Sequence, residues 1–207
     1  MLLQVTTGTT SFLSSPSLHY EKDTSAMVIK RGEFELISDI FAPLASGYPG
    51  SLNLCDDAAV LSIPKKRELV VTSDTIVEGV HFLPNDPPDT VGTKALAVNL
   101  SDLAAMGAQP HSYMFSATWS PPTSTLWIEA FASGLKHLQE LHQIHLVGGD
   151  TVSTPGPLTL TITAFGLIDE GKSIQRNTAN IGDNLYVTGN IGDSALGLRI
   201  AKNEVHY

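Results

Sequence analysis

One cysteine, Cys55, stands among 207 residues. No intramolecular disulfide can form, which suits a reducing compartment, and a cytoplasmic protein is expected. Charge is also scarce. Asp, Glu, Lys and Arg together make up 16% of the chain, against roughly 25% in ordinary soluble domains. Basic residues are scarcer still: 12 Lys and Arg face 21 Asp and Glu, a net charge of −9, and the densest basic cluster is Lys65-Lys66-Arg67. A nucleic-acid backbone needs a basic footprint, so no nucleic-acid partner is expected. No apolar run approaches the roughly 20 residues of a membrane span, and no membrane partner is expected. Familiar phosphate motifs are missing as well: there is no Walker A sequence, kinase glycine loop or dinucleotide fingerprint, and no nucleophile elbow.

Residues 1–26 are rich in Ser and Thr and carry no basic residue before Lys22. They match neither a secretory signal nor a transit peptide, so they are read as a disordered extension, with Met27 a candidate initiator. Beyond them the 42% of apolar residues is enough for a sizeable core. Gly32–Ala45 places Phe34, Ile37, Ile40 and Phe41 at helical spacing. Short strands are expected around Asp57–Ile63, over Glu68–Asp74 and over Ser112–Ser120. A helix is expected from Thr90 to Met106, with Asp89 as N-cap and Gly107 as its stop. A second helix follows, its apolar stripe formed by Trp127, Phe131, Leu135 and Leu138. Ile144–Asp150 reads as a strand ending in a glycine turn, and Pro157–Ile168 alternates like a strand with one wetter face. Gly182–Ala201 reads as strand, glycine turn and helix. Hairpin-like strands mixed with two long helices predict an α+β, or mixed α/β, fold.

The carboxylates carry the chemical signal. On a helical wheel of the first long helix both faces are apolar, so the helix should be covered on two sides with Asp102 buried. A buried carboxylate costs several kcal/mol unless it is paired or bound to a cation. Taken alone, Asp102 is most simply a salt-bridge or hydrogen-bonding residue. But Asp56 and Asp57 sit side by side, Asp74 ends "VVTSD", and Asp150 follows Gly148-Gly149 in "LVGGDT". Five carboxylates delivered by core-forming segments, in a chain poor in charge, point to a shared cation site. Oxygen donors without a His or Cys cluster favour Mg²⁺ or Mn²⁺ over zinc. Because Mg²⁺ takes one or two protein carboxylates and fills the rest with water and phosphate oxygens, this many carboxylates implies several ions and a polyphosphate.

The segments "GEFELI", "DDAAVL", "VTSDTIVEGVHFLP", "KALAVNLSDLAAMGAQP", "LVGGDT" and "SIQRNTANIGDNLYVTGNIGDSALGL" together resemble the thiamine-monophosphate kinase family. Its wider superfamily includes aminoimidazole-ribonucleotide and selenophosphate synthetases. The resemblance covers nearly all of residues 31–198. It implies transfer of the γ-phosphoryl group of ATP to thiamine monophosphate, giving thiamine diphosphate, with no protein nucleophile. It implies Mg²⁺ ligation by Asp57, Asp74, Asp102 and Asp150, with Thr72 and Ser73 as auxiliary oxygen ligands. His81 would contact thiamine monophosphate, Gly149, Asp150 and Arg176 would contact ATP, and Asp56 would support its ligand neighbour. It further implies a mainly antiparallel sheet that forms a β-barrel shared across a homodimer, with helices outside. The implied division is an N-terminal domain over 27–170 and the start of a second α/β domain over 171–207. Members usually have Gly where this chain has Cys55. Two alternatives stay open: another ATP-dependent synthetase of the superfamily, and an inactive dimerisation or metal-binding fragment.

Overall fold

A computed structural model describes residues 32–121 and 123–205. The expectations for residues 1–26 lie outside the described residues. One compact unit ends at Gln175 and a second begins at Arg176. Residues just beyond 170 stay with the first unit because the Lys172 N–H bonds the Asp169 carbonyl and the Ile174 N–H bonds that of Met106, each at 3.0 Å.

The first unit opens with a helical segment in three pieces: α1 (Glu33–Leu36), a wider π turn (Ile37–Phe41) and α2 (Ala42–Ala45). The expected helix is present, but Leu36, Ile40, Phe41, Leu44 and Ala45 are its buried residues, and Phe34 is 84% exposed. The buried stripe runs through Leu36, Ile40 and Leu44 at four-residue spacing, which leaves Phe34 off it. A 3₁₀ segment over Pro49–Leu54 follows. The strand expected around Asp57–Ile63 is absent; that stretch is irregular and mostly exposed.

Four strands form one sheet: β1 (Arg67–Val77), β2 (Gln109–Trp119), β3 (His145–Ser153) and β4 (Thr159–Asp169). The spatial order is β1-β4-β2-β3, with β4 antiparallel to both β1 and β2, and β3 parallel to β2. No two strands consecutive in sequence are joined as a hairpin. The parallel β2–β3 pair requires a crossover, supplied by α4 (Thr125–His142). Before it, α3 (Pro88–Ala105) connects β1 to β2. Helix α3 lies near its expected bounds, and α4 carries the expected stripe of Trp127, Phe131, Leu135 and Leu138. Ser124 caps α4 by accepting the Trp127 N–H at 3.2 Å. At α3, Pro87 rather than Asp89 is the N-cap, and Asp89 lies in the first turn. Gly107, at φ +76, ends α3: its N–H bonds the Ala104 carbonyl, and the Ala108 N–H bonds that of Leu103.

The two helices meet backbone to backbone at reciprocal glycines. A Cβ on Gly92 would stand 2.1 Å from the Phe131 carbonyl oxygen, and one on Gly134 would stand 1.9 Å from that of Asp89. Their inner faces and one face of the sheet enclose the core, where Phe131 stacks on Trp127 and packs against Phe115 with ring centroids 5.5 and 5.1 Å apart. Tyr113 is wholly buried. Its hydroxyl donates to Gln139 Oε1 at 3.2 Å, and burial pushes it far above the usual phenol range. Strand β4 alternates as expected, burying Leu160, Ile162 and Ala164 while its threonines stay half-buried, and Leu158 just before it is also buried. Among the described residues the second face of the sheet is uncovered, leaving Leu69 and Val71 of β1 exposed.

In the second unit, α5 (Asp193–Ala201) matches the expected helix. The strand expected before it does not form: a strand needs a ladder partner, and none pairs with these residues among those described.

Candidate functional site

Asp56 and Asp57 ride on a loop whose two ends are clipped together. The Val60 N–H bonds the Gly50 carbonyl at 2.8 Å, and a Cβ on Gly50 would stand 2.0 Å from the Val60 oxygen. Inside the clip, Leu52, Asn53 and Leu54 adopt left-handed conformations, with φ of 51, 56 and 56°. Each such non-glycine residue costs about 1–2 kcal/mol. Buried Ser51 offsets part of this: its hydroxyl proton is shared between the Ala45 and Tyr48 carbonyls, while its oxygen accepts the Asn53 N–H at 3.3 Å. Cys55 follows at φ −104, a conformation open to any side chain, so the turn does not require glycine there. The Asp57 N–H donates to Asp56 Oδ1 at 2.9 Å.

On β3, a register shift against β2 falls between Tyr113 and Met114, after which Phe115 pairs with Gly149 and Ser116 with Asp150. The strand therefore does not end at the glycines; it runs through Asp150 to Ser153. Gly149 is required by close backbone approach, since a Cβ there would stand 1.7 Å from the Phe115 oxygen. The loop and β3 enclose a cavity of about 230 Å³, lined by Asp56, Asp57, Gly149 and Asp150 and walled by Phe41 and Met114. Glu33 of α1 also lines it. Sequence reading passed over Glu33; its one signal was a place in "GEFELI".

The remaining carboxylates stand along the seam between β1 and α3. Thr72 Oγ1 donates to Asp102 Oδ2 at 2.8 Å. Strand alternation puts Asp74 on the same face as Thr72. It puts Ser73 on the opposite face, where its hydroxyl meets Thr163 Oγ1 at 3.0 Å. These residues lie in mid-strand, because β1 continues to Val77. Asp102 is exposed rather than buried: α3 buries one stripe, formed by Val91, Ala95, Leu96, Asn99, Leu100 and Leu103, and turns Asp102, Ala104 and Ala105 outward. Of the wheel's second apolar stripe, Val91 and Ala95 are buried, but Val98 is half-buried and Ala105 exposed, so that face opens toward the C-terminal end where Asp102 lies.

His81 closes a tight turn after β1. Its N–H bonds the Val77 carbonyl at 2.8 Å, its Nδ1 accepts the Val77 N–H at 3.1 Å, and Gly79 at φ +80 makes the bend. With Nδ1 accepting, the neutral ring carries its proton on Nε2. Lys94 of α3 donates its ammonium to the His81 carbonyl. Lys94 was also passed over in the sequence, though it is the only basic residue of α3. Arg176 is exposed and belongs to the second unit.

Two groups result: Asp56, Asp57, Gly149 and Asp150 around the cavity, and Thr72, Asp74 and Asp102 on the seam. Among the described residues no three His, Cys, Asp or Glu side chains converge to ligate one ion. One or two carboxylates per ion, completed by water and phosphate oxygens, is the Mg²⁺ pattern, and this donor set fits it.

These residues stand on a mixed four-stranded sheet backed by two long helices, a framework shared with a known protein family. Residues 55–168 match the family model of AIR synthase related protein, N-terminal domain, and the chain belongs to that family. Within this family, its relatives include the thiamine-monophosphate kinase of Escherichia coli (strain K12), 43% identical over 175 residues, which are 84% of this chain and 53% of that protein. The thiamine-monophosphate kinase of Bacillus subtilis (strain 168) is 38% identical over 84% of this chain and 54% of its own length. The solved thiamine-monophosphate kinase from Stenotrophomonas maltophilia K279a superposes with a TM-score of 0.67 at 44% identity, over 73% of this chain and 47% of that one. AaThiL complexed with AMPPCP and TMP superposes with a TM-score of 0.64 at 28% identity, over 85% of this chain and 54% of that one. The chain thus spans about half the length of the curated relatives it matches.

Proposed function

We propose that this chain supplies the N-terminal half of an ATP-dependent kinase that phosphorylates thiamine monophosphate to thiamine diphosphate. The observation that carries the reading is the cavity that gathers Asp56, Asp57, Gly149 and Asp150, within a segment 43% identical to a thiamine-monophosphate kinase. The solved relative complexed with AMPPCP and TMP supports a nucleotide and a phosphorylated acceptor as the ligand pair. The acceptor is itself a phosphate, largely ionised near neutral pH, so no protein nucleophile is needed. The chain's task is to align two anions that repel each other and to hold them dry.

In this reading Asp57 and Asp150 on the cavity, and Asp74, Asp102 and Thr72 on the seam, hold several Mg²⁺ ions, whose charge offsets that of the phosphates. Ser73 contributes through its main chain, because its hydroxyl belongs to the other face. Asp56 orders the Asp57 backbone, Gly149 and Asp150 meet ATP along β3, Arg176 adds a further ATP contact, and His81 meets thiamine monophosphate. A homodimer closing its sheets into a barrel would cover exposed Leu69 and Val71. A cytoplasmic location completes the proposal.

The test offers γ-labelled ATP, Mg²⁺ and thiamine monophosphate to the protein. Labelled thiamine diphosphate and ADP are expected, with loss of turnover in chelator. Turnover of selenide or an aminoimidazole precursor in place of thiamine monophosphate would establish a synthetase instead. Calorimetry showing no affinity for either Mg²⁺–ATP or thiamine monophosphate would leave only an inactive fragment.

A further inference from the structure

We propose that Lys94 is a positioning residue for His81 and thereby a determinant of acceptor specificity; this rests on the kinase reading above. Helix α3 is stapled to β1 and its turn at two polar points. One is Thr72 on Asp102; the other is Lys94 on the carbonyl of His81. The two staples lie eight residues apart on α3, about 12 Å at the helical rise of 1.5 Å per residue. That span suits a small organic phosphate lying along the seam. Its phosphate belongs at the carboxylate staple, where cations gather, so its heteroaromatic end reaches the turn that carries His81.

The turn is built to fix one imidazole orientation. Val77 donates to Nδ1 and accepts from the His81 N–H, Gly79 donates to the Phe82 carbonyl at 2.8 Å, and Phe82 anchors the far side in the core. Val80 at the tip is 75% exposed, so packing alone does not hold the loop. None of these bonds uses the His81 carbonyl, and Lys94 engages it. Arg67, Lys136 and Arg199 each pair with a carboxylate, at 3.0, 3.9 and 3.6 Å. Lys94, by contrast, spends its ammonium on a neutral carbonyl, and no carboxylate among the described residues pairs with it. A cation committed to a backbone oxygen restrains the turn without neutralising a charge. The consequence is a single tautomer with Nε2–H free to donate to a ring nitrogen or oxygen of the acceptor.

The experiment compares wild type, Lys94→Met and Lys94→Arg. Calorimetry with Mg²⁺ present measures thiamine monophosphate and ATP separately, and ¹⁵N spectra read the imidazole of His81, assigned with His81→Gln. Lys94→Met is expected to weaken thiamine monophosphate at least about tenfold, the loss of one charge-assisted hydrogen bond, leave ATP within about twofold, and average the two ring-nitrogen shifts. Lys94→Arg keeps a charged donor and is expected to restore both readouts. Unchanged affinity and an unaveraged Nδ1 acceptor signature in Lys94→Met would overturn the proposal. A wild-type chain with no affinity for thiamine monophosphate removes the kinase reading itself. The imidazole spectra then still decide whether Lys94 fixes His81. Lys94 is exposed, so none of the variants opens the core.

Discussion

Replacing Gly149 by alanine separates two explanations of the same residue. If the glycine serves only a ligand's approach, an added methyl group leaves the unliganded protein intact. The structure predicts otherwise. The new Cβ would stand 1.7 Å from the Phe115 carbonyl oxygen and 2.7 Å from its carbon, where 3.4–4 Å is ordinary contact. Both obstacles are backbone, so no rotamer relieves them, and β3 has to draw back from β2 where Phe115 pairs with Gly149 and Ser116 with Asp150. Overpacking costs about 1–3 kcal/mol and each ladder hydrogen bond lost about 1 kcal/mol. The sum is about 3–5 kcal/mol, or about 6–20 °C in melting temperature for a chain of this size. Gly148→Ala is the internal control, because its Cβ meets only the Met114 methyl at 3.6 Å. It should stay within about 1 kcal/mol of wild type, with a small gain possible from reduced chain entropy. Scanning calorimetry without nucleotide reads both. Equal losses in the two variants, or a Gly149→Ala melt within about 2 °C of wild type, would refute the backbone-approach reasoning.

Asp102→Asn should leave the unliganded melt within about 0.5 kcal/mol, since the site is exposed and the amide oxygen still accepts from Thr72. The same change should lower phosphoryl transfer by about 10–100-fold if the carboxylate holds a cation; unchanged turnover would remove it from the site. Burial beside His145 holds the imidazole of His111 below its usual 6.5. The unfolded chain therefore binds more protons below pH 6.5, and stability contributed by the neutral ring falls as pH drops through that window. Denaturant midpoints at pH 7.5 and pH 5 should accordingly differ less in His111→Gln than in wild type, and an equal acid loss would contradict this. Phe131→Ala empties the wholly buried position between Trp127 and Phe115 and should cost about 3–5 kcal/mol by chemical denaturation. A loss below about 1 kcal/mol would mean the core collapses around the gap.

Elements whose residues report their own environment were legible in the sequence. The stripe from Trp127 to Leu138, the Leu-Thr alternation of β4 and the Gly107 stop all follow from periods and caps that belong to a single segment. What depends on a partner was not legible. Asp74 looked terminal because polar residues crowd Thr72–Thr75, yet β4 supplies ladder partners as far as Val77. Gly148-Gly149 looked like a turn because nothing in one strand announces that a neighbour's carbonyl presses on it. "DDAAVL" had strand-like composition but found no ladder, and Val60 instead clips back to Gly50. At the site, Asp56, Asp57 and Asp150 line one cavity, while Asp102 lies apart beside Thr72. The misplaced burial of Asp102 came from extending the buried stripe of Val91 and Ala95 through Val98 and Ala105, which the fold leaves half-buried and exposed. Lys94 escaped notice because its role is read from a hydrogen bond, not from a motif.

The pairing of β1 with β4 has a consequence for how the molecule is made. Arg67 meets Asp169 across 102 residues, and Thr75 meets Thr161 across 86. A growing chain therefore releases β1 long before its partner exists, while α4 can bring β3 to β2 over a short loop. Closing so long a loop is entropically late, and contacts of this range are the ones that slow folding. The strand that bears Thr72 and Asp74 can join its ladder only after β4 has been synthesised. Until it docks, its apolar residues and unpaired edge are open to other chains, so the same strand that frames the proposed chemistry sets the interval in which the nascent protein is most exposed to misassembly.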